Sequence, residues 1–267
     1  MRFPLFSTLF LLFTLSASAK DTVILGVNEG GTANQMEREM AGIVAHVNTS
    51  PDIALKLKVF PNHDALYAAF RAGEVDLAFM GAVKYVEAHD AIGAIPVVAE
   101  GHATTSAIAV TPKSPITKVE QLRGKRFAFG YADSTTTHLI PLLTLSKHGL
   151  KEADVQGSFA GHQPQKTVDE LVAGKYDAAA VSDYTYAQNK SKLRLLDQSD
   201  PYPGPPIVVR QDLDAKLRDK VRRMFASYKP QPDQMTQHFA KGALPATNED
   251  YNRIRFLCKV LFNKTYK

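Results

Sequence analysis

The sequence predicts an α/β protein folded as two similar lobes. Short apolar runs of strand type alternate with amphipathic helical stretches of about ten residues, the rhythm of a parallel sheet with crossover helices. A phrase of the form Gly-x-x-Asp, followed by a small or apolar strand, occurs twice: Gly73-Glu-Val-Asp76 before Leu77-Ala-Phe79, and Gly174-Lys-Tyr-Asp177 before Ala178-Ala-Ala180. Each follows an amphipathic helix, Leu66 to Phe70 in the first copy and Val168 to Val172 in the second. Two segments read as crossings between lobes: Ser106-Ala-Ile-Ala-Val110, running into Thr111-Pro-Lys-Ser-Pro115, and Pro201-Tyr-Pro-Gly-Pro-Pro206, running into Ile207-Val-Val-Arg210.

Taken in order, residues 1–19 read as a secretory signal peptide. Arg2 precedes an apolar run from Phe3 to Leu15, too short to span a bilayer comfortably, and Ala17 and Ala19 have the spacing that signal peptidase accepts. No cysteine follows the run, so a lipoprotein tether is not expected. The expected mature chain starts near Lys20 in an exported compartment, most simply a Gram-negative periplasm. About 248 residues then remain, enough for two modest cores.

Thr22 to Val27 is a strand, and Asn28-Glu-Gly-Gly-Thr32 a polar loop. Met36, Met40, Ile43, Val44 and Val47 mark one face of a helix. Ala54 to Phe60 alternates with period two and predicts a strand, His63 to Ala72 a helix, and Val75 to Met80 a strand ending at Gly81. Residues 214–267 read as helical and close the first lobe. The expected division is 20–108 plus 207–267 for the first lobe and 109–206 for the second, with a ligand cleft between them.

Between the two Gly-x-x-Asp copies, Phe127 to Phe129 predict a buried strand and Gly130 to Asp133 a turn. Ser134-Thr-Thr-Thr137 then opens a helix that continues through Leu139, Leu142, Leu143 and Leu145. The unpaired N–H groups of a first helical turn, the positive end of its dipole and four hydroxyls converge there, which suits an oxyanion without any lysine. Asp133 or Ser134 acting simply as a helix cap is the ordinary alternative.

Composition excludes several classes. The formal charge of +5 is spread rather than clustered, so a nucleic-acid footprint is weak, although a mild positive field favours anionic ligands. Cys258, the lone cysteine, excludes an intramolecular disulfide and a multi-cysteine metal site; it lies in line with Tyr251, Ile254, Leu257 and Leu261 and reads as a buried apolar residue. No HxxxH or HExxH pair, GxSxG elbow or Walker-type loop is present. No enzyme activity, cofactor or metal is expected.

Four segments, in this order and spacing, resemble the phosphonate/phosphite/phosphate-binding protein family of bacterial ABC transporters. They are Gly73-Glu-Val-Asp-Leu-Ala-Phe-Met-Gly81, Leu122-Arg-Gly-Lys-Arg-Phe-Ala-Phe-Gly130 with Asp133-Ser-Thr-Thr136, Gly174-Lys-Tyr-Asp-Ala-Ala-Ala-Val181, and Pro205-Pro-Ile-Val-Val-Arg210. The resemblance implies a two-lobed periplasmic binding protein of type II, with two hinge strands and a central cleft. It would capture a small oxyanion by hinge closure and deliver it, as a monomer, to an ABC transporter permease in the inner membrane. A sensor subunit of the same fold, signalling to a membrane histidine kinase, is the alternative.

The resemblance also implies a site. Ser134, Thr135 and Thr136 would hold the oxyanion, with Thr137 standing where the family commonly has glycine and Tyr131 in the preceding turn. Met80 occupies a place where an aromatic residue often contacts ligand, between Phe79 and Gly81. His162 lies two residues early for the family's ligand histidine, since counting back from Gly174 reaches Pro164; it is either that ligand or an ordinary loop histidine. Asp183 lies near the family's polar or acidic contact, with a solvated carboxylate as the alternative. If Glu29 and Asp183 both face the cleft, they would repel a bare dianion and pair with the ammonium of an aminoalkylphosphonate.

Overall fold

The run around Val23, Leu25 and Val27 forms the middle of β1 (Asp21–Asn28), which pairs in parallel with β2 (Ile53–Phe60) and β3 (Leu77–Phe79). The computed structural model describes residues 20–28, 34–161, 163–231 and 238–267; the signal peptide, Glu29 and His162 lie outside them. Helices α1 (Gln35–Val47), α2 (His63–Ala72) and α3 (Ala82–Ile92) join the strands, and α1 buries Met36, Met40, Ile43 and Val47 as the helical period requires. Asn62 caps α2 by accepting from the Ala65 N–H, and Gly73 ends it in the left-handed region at φ 79°. A side chain at Gly73 would also collide with Arg210.

The first sheet has the order β11-β4-β10-β3-β1-β2, where β4 is Ile95–Glu100, β10 Pro206–Val209 and β11 Ala243–Pro245. The second has the order β7-β6-β8-β5-β9, with β5 Ser106–Val110, β6 Arg126–Phe129, β7 Gln156–Phe159, β8 Ala178–Ser182 and β9 Arg194–Gln198. The alternation of strands and helices had suggested parallel sheets, but both sheets are mixed. The strand that enters each lobe from the other, β10 in the first and β5 in the second, runs antiparallel to its neighbours because it arrives from the opposite end.

The repeated aspartate has one task in both lobes. Asp76 gives its N–H to the Ile24 carbonyl and accepts the Ile24 N–H at its carboxylate; Asp177 does the same with Arg126. Each pins the start of its strand to the parallel neighbour.

All five residues of β5 pair within the second sheet, so the chain leaves the first lobe at 101–105, earlier than the expected boundary at 108. It returns at 199–205. The two crossings touch at Thr104 and Tyr202, which exchange backbone N–H···O bonds of 3.0 Å in both directions.

Helices α4 (Ile140–Lys147), α5 (Pro164–Val172) and α6 (Asp183–Gln188) serve the second lobe, and α7 (Ala215–Ala226) the first. Helix α8 (Asn252–Phe262) does more than close the first lobe. Leu261 and Phe262 pack against the cores of both lobes, and the Phe262 ring lies 5.0 Å from that of His138. Cys258 is buried on this helix, and burial pushes its thiol up to about 11. Side chains such as Leu25, Phe70, Phe127 and Phe225 are fully buried, each contributing about 1.5–3 kcal/mol.

Candidate functional site

Strand β6 ends at Phe129, and the chain turns through Gly130 to Asp133 before Thr135–Leu139 form a π-helical turn that runs on into α4. The Leu139 N–H reaches back to the Ser134 carbonyl at 3.0 Å, the i+5 bond that defines the wider turn. Ser134 is the cap: its hydroxyl accepts from the Thr137 N–H at 3.0 Å and from the Thr137 hydroxyl at 2.8 Å. The N–H groups of Thr135 and Thr136 have no acceptor within the helix, as first-turn groups. Ser134 is therefore the cap, and the N–H groups of Thr135 and Thr136, one and two residues on, remain as candidate donors to an anion. The Thr137 side chain lies over Gly130, where an added Cβ would come within 2.0 Å of the Thr137 hydroxyl.

A cavity of about 180 Å³ lies between the lobes at this turn. The second lobe lines it with Gly130, Tyr131, Ser134, Thr135, Thr136, Thr137, Pro164, Thr167, Ser182 and Thr185. The first lobe supplies Asn28 from the end of β1, Gln35 and Met36 from the start of α1, His63 from the start of α2, Phe79, Met80, Gly81, Ala82 and His238. Tyr202, Pro203 and Pro205 come from the second crossing. Strand ends and helix N-termini thus converge from both sides. Their dipoles and N–H groups favour an anion, and no Lys or Arg is among the described lining residues.

The lobes meet through specific contacts. The Val83 N–H at the start of α3 donates to the Thr135 hydroxyl at 2.9 Å across the cleft. Tyr131 stacks on His63 with ring centroids 4.6 Å apart. Lys84, whose side chain is only 9% exposed, lies 2.6 Å from Asp133 and 3.1 Å from Glu87. Burial works against charge on both partners, yet the hydrogen-bonded contact raises the lysine pKa and lowers that of Asp133, so the pair is ionised.

His238 is held between two carboxylates, with Glu100 at 2.5 Å from Nδ1 and Glu39 at 3.6 Å from Nε2, while Phe79 meets its ring edge-on at 4.9 Å. Burial lowers the imidazole pKa, but the charge and hydrogen bond of Glu100, helped by Glu39, outweigh it and raise it above the ordinary value. The two carboxylates thus favour the protonated form of this imidazole on the cavity wall. Tyr131 is pushed in the opposite sense to ionisation, chiefly by burial, and stays a neutral phenol.

Of the residues picked out from the sequence, Ser134, Thr135, Thr136, Thr137, Tyr131, Phe79, Met80 and Gly81 come together around this cavity. Asp183 does not line it. As the first residue of α6, it turns its carboxylate to the first crossing, 3.3 Å from the Thr105 hydroxyl, and accepts from the Tyr184 N–H. Its neighbours Ser182 and Thr185 face the cavity instead. Glu29 and His162 lie outside the described residues. Asn28, Gln35, His63, Tyr202 and His238 were not anticipated as lining. Only Tyr202 carried a usable signal, its place in a proline-rich crossing. Among the described residues, no group of three or more His, Cys, Asp or Glu side chains could hold a metal ion.

A family model described as the periplasmic substrate-binding protein of the phosphonate ABC transporter matches residues 25–251. The chain is 28% identical over 203 residues to the phosphonates-binding periplasmic protein of Escherichia coli, an alignment covering 68% of this chain and 59% of that protein. It is 26% identical over 226 residues to the phosphate-import protein PhnD of Mycolicibacterium smegmatis, covering 71% and 70%. Among solved structures, PhnD1 from Prochlorococcus marinus in complex with methylphosphonate has a TM-score of 0.80 at 18% identity, over 91% of this chain and 99% of that one. XAC2383 from Xanthomonas citri, bound to ATP, has a TM-score of 0.70 at 18% identity, over 91% and 97%. These two structures share the two-lobed fold.

Proposed function

The chain belongs to the family of periplasmic substrate-binding proteins of phosphonate ABC transporters, and on that premise we propose that it captures a small oxyanion of phosphonate, phosphite or phosphate type and presents it to the transporter's membrane component. The observation that carries the reading is the convergence of the Thr135 and Thr136 donors with helix N-termini of both lobes on one cavity lined, among the described residues, without lysine or arginine. A cavity of about 180 Å³ suits a compact anion better than a nucleotide.

Binding works by hinge closure. The anion touches donors on both lobes, so it favours the arrangement in which the Val83–Thr135 and Lys84–Asp133 contacts form. Each charge-assisted hydrogen bond to the ligand contributes about 1.5–3 kcal/mol. With Asp183 directed at Thr105, the second lobe offers no described carboxylate to an ammonium group. Closure between two lobes of one chain calls for no second copy, and the chain is proposed to act as a monomer.

A thermal-shift panel of phosphate, phosphite, methylphosphonate, aminoethylphosphonate and sulfate tests this. Ligand at a hundred times its dissociation constant adds about 2.7 kcal/mol, a rise of several degrees for a chain of this size. A rise with a phosphorus oxyanion supports the reading; a cooperative melt unmoved by every member of the panel rejects it.

A further inference from the structure

Tyr202 lies on the second crossing, between the lobes rather than in either. Its backbone is fixed by the paired bonds to Thr104, the residue belongs to a buried apolar cluster that takes in side chains of both lobes, and it is only 3% exposed. It lines the cavity together with Thr135 and Thr136. The Thr136 side chain is close enough to act on its hydroxyl as a hydrogen-bonding neighbour, but among the described residues no acceptor meets that hydroxyl at full hydrogen-bonding geometry, so the contact leaves it poorly satisfied. A buried phenol O–H without a partner is destabilising, and folded proteins rarely retain one without a use.

We propose that the Tyr202 hydroxyl is a ligand contact carried by the hinge, donating a hydrogen bond to the anion held at Thr135 and Thr136. This rests on the oxyanion-binding reading and adds to it a donor that belongs to neither lobe. The chemistry agrees. Burial above all, with Asp183 and Glu100 nearby, drives the phenol pKa far upward, so the group keeps its proton at any working pH. The O–H rotates about the C–O bond to meet whichever acceptor is present. A rigid ring on the pivot needs no rearrangement to present it. Pro201 and Pro203 on either side, with the Pro205–Pro206 pair beyond Gly204, restrict the backbone of the crossing that carries the ring.

The test is calorimetric titration of the full mature chain and its Tyr202→Phe variant with phosphate, phosphite and methylphosphonate, together with unliganded melting. Phenylalanine keeps the ring and its packing and deletes only the hydroxyl. The expected result is an affinity lower by about tenfold to a hundredfold, with an unliganded melting temperature equal to or above that of the parent. Equal affinity in parent and variant overturns the proposal, as does a melting temperature that falls with the affinity, since the hydroxyl would then be holding protein rather than ligand. A Tyr202→Phe, Thr136→Val double variant that binds no more weakly than Thr136→Val alone also overturns it, because Tyr202 would then act only through Thr136. If the parent itself binds none of the three anions, the underlying reading fails first, and the proposal with it.

Discussion

Lys84 of the first lobe and Asp133 of the second meet at 2.6 Å, Lys84 next to Val83 and Asp133 two residues before Thr135, the pair whose hydrogen bond also crosses the cleft, and Asp133 directly precedes the cap at Ser134. The lobe contact and the anion turn are thus parts of one short stretch of chain. Whatever orders the turn also sets the geometry of closure.

Replacing Asp133 with Asn removes the charge that crosses the cleft while leaving Lys84 its contact with Glu87. The closed arrangement should lose about 1.5–3 kcal/mol. Small-angle scattering should show a larger radius of gyration without ligand, and affinity should fall by tenfold or more. Because the Asp133 pKa is depressed in the folded chain, this contribution is present above the ordinary aspartate range and is lost as pH falls through the depressed value. Acidification should therefore erase the difference between parent and variant.

Ser134 and Thr136 separate capping from recognition. Ser134→Ala deletes the acceptor for two groups of Thr137 and should cost about 1 kcal/mol of stability as well as affinity. Thr136→Val should lower affinity with little change in urea midpoint. Equal stability losses in the two variants would show that the turn is only a helix start.

Gly130 should be intolerant of any side chain. Gly130→Ala places a Cβ within 2.0 Å of the Thr137 hydroxyl and 2.8 Å of its Cβ, atoms on a fixed turn rather than the end of a flexible chain. Binding should be lost in Gly130→Ala and recovered in part when Thr137→Gly is added, which titration calorimetry would read directly.

The raised pKa of His238 should show itself in the pH dependence of stability. Its folded pKa is raised, so its contribution is complete below the ordinary histidine value and disappears as pH rises through the raised one. His238→Gln removes the cation between Glu39 and Glu100 and should cost about 3 kcal/mol near pH 6. The gap between parent and variant should close toward alkaline pH; chemical denaturation across that range checks it.

The repeated Gly-x-x-Asp was readable because its function is local: an aspartate at a strand start pins the parallel neighbour, and the same residues are needed wherever that happens. The hydroxyl turn was readable for the same reason, as first-turn donors follow from helix geometry. Strand β4 left little trace, since Ile95–Glu100 is a short run broken by Pro96 and becomes a strand only by pairing with β10 and β11 far along the chain. His238 is invisible for a like reason, because its partners Glu39 and Glu100 are distant in sequence. Asp183 misled because residue type says nothing of direction: as the first residue of α6 it faces Thr105, while Ser182 and Thr185 on either side face the cavity.

Strand β10 lies between β4 and β3 in the first sheet. Until residues 206–209 have been synthesised and have emerged, β4 has no neighbour to pair with on that side and β11 cannot extend the sheet. The second lobe is continuous in the chain, so it can complete its own five strands while the first is still an open half-sheet. The lobe that begins the chain is therefore the last to be finished, and its unpaired β3 edge is the surface most in need of protection while the chain is being threaded out of the translocation channel.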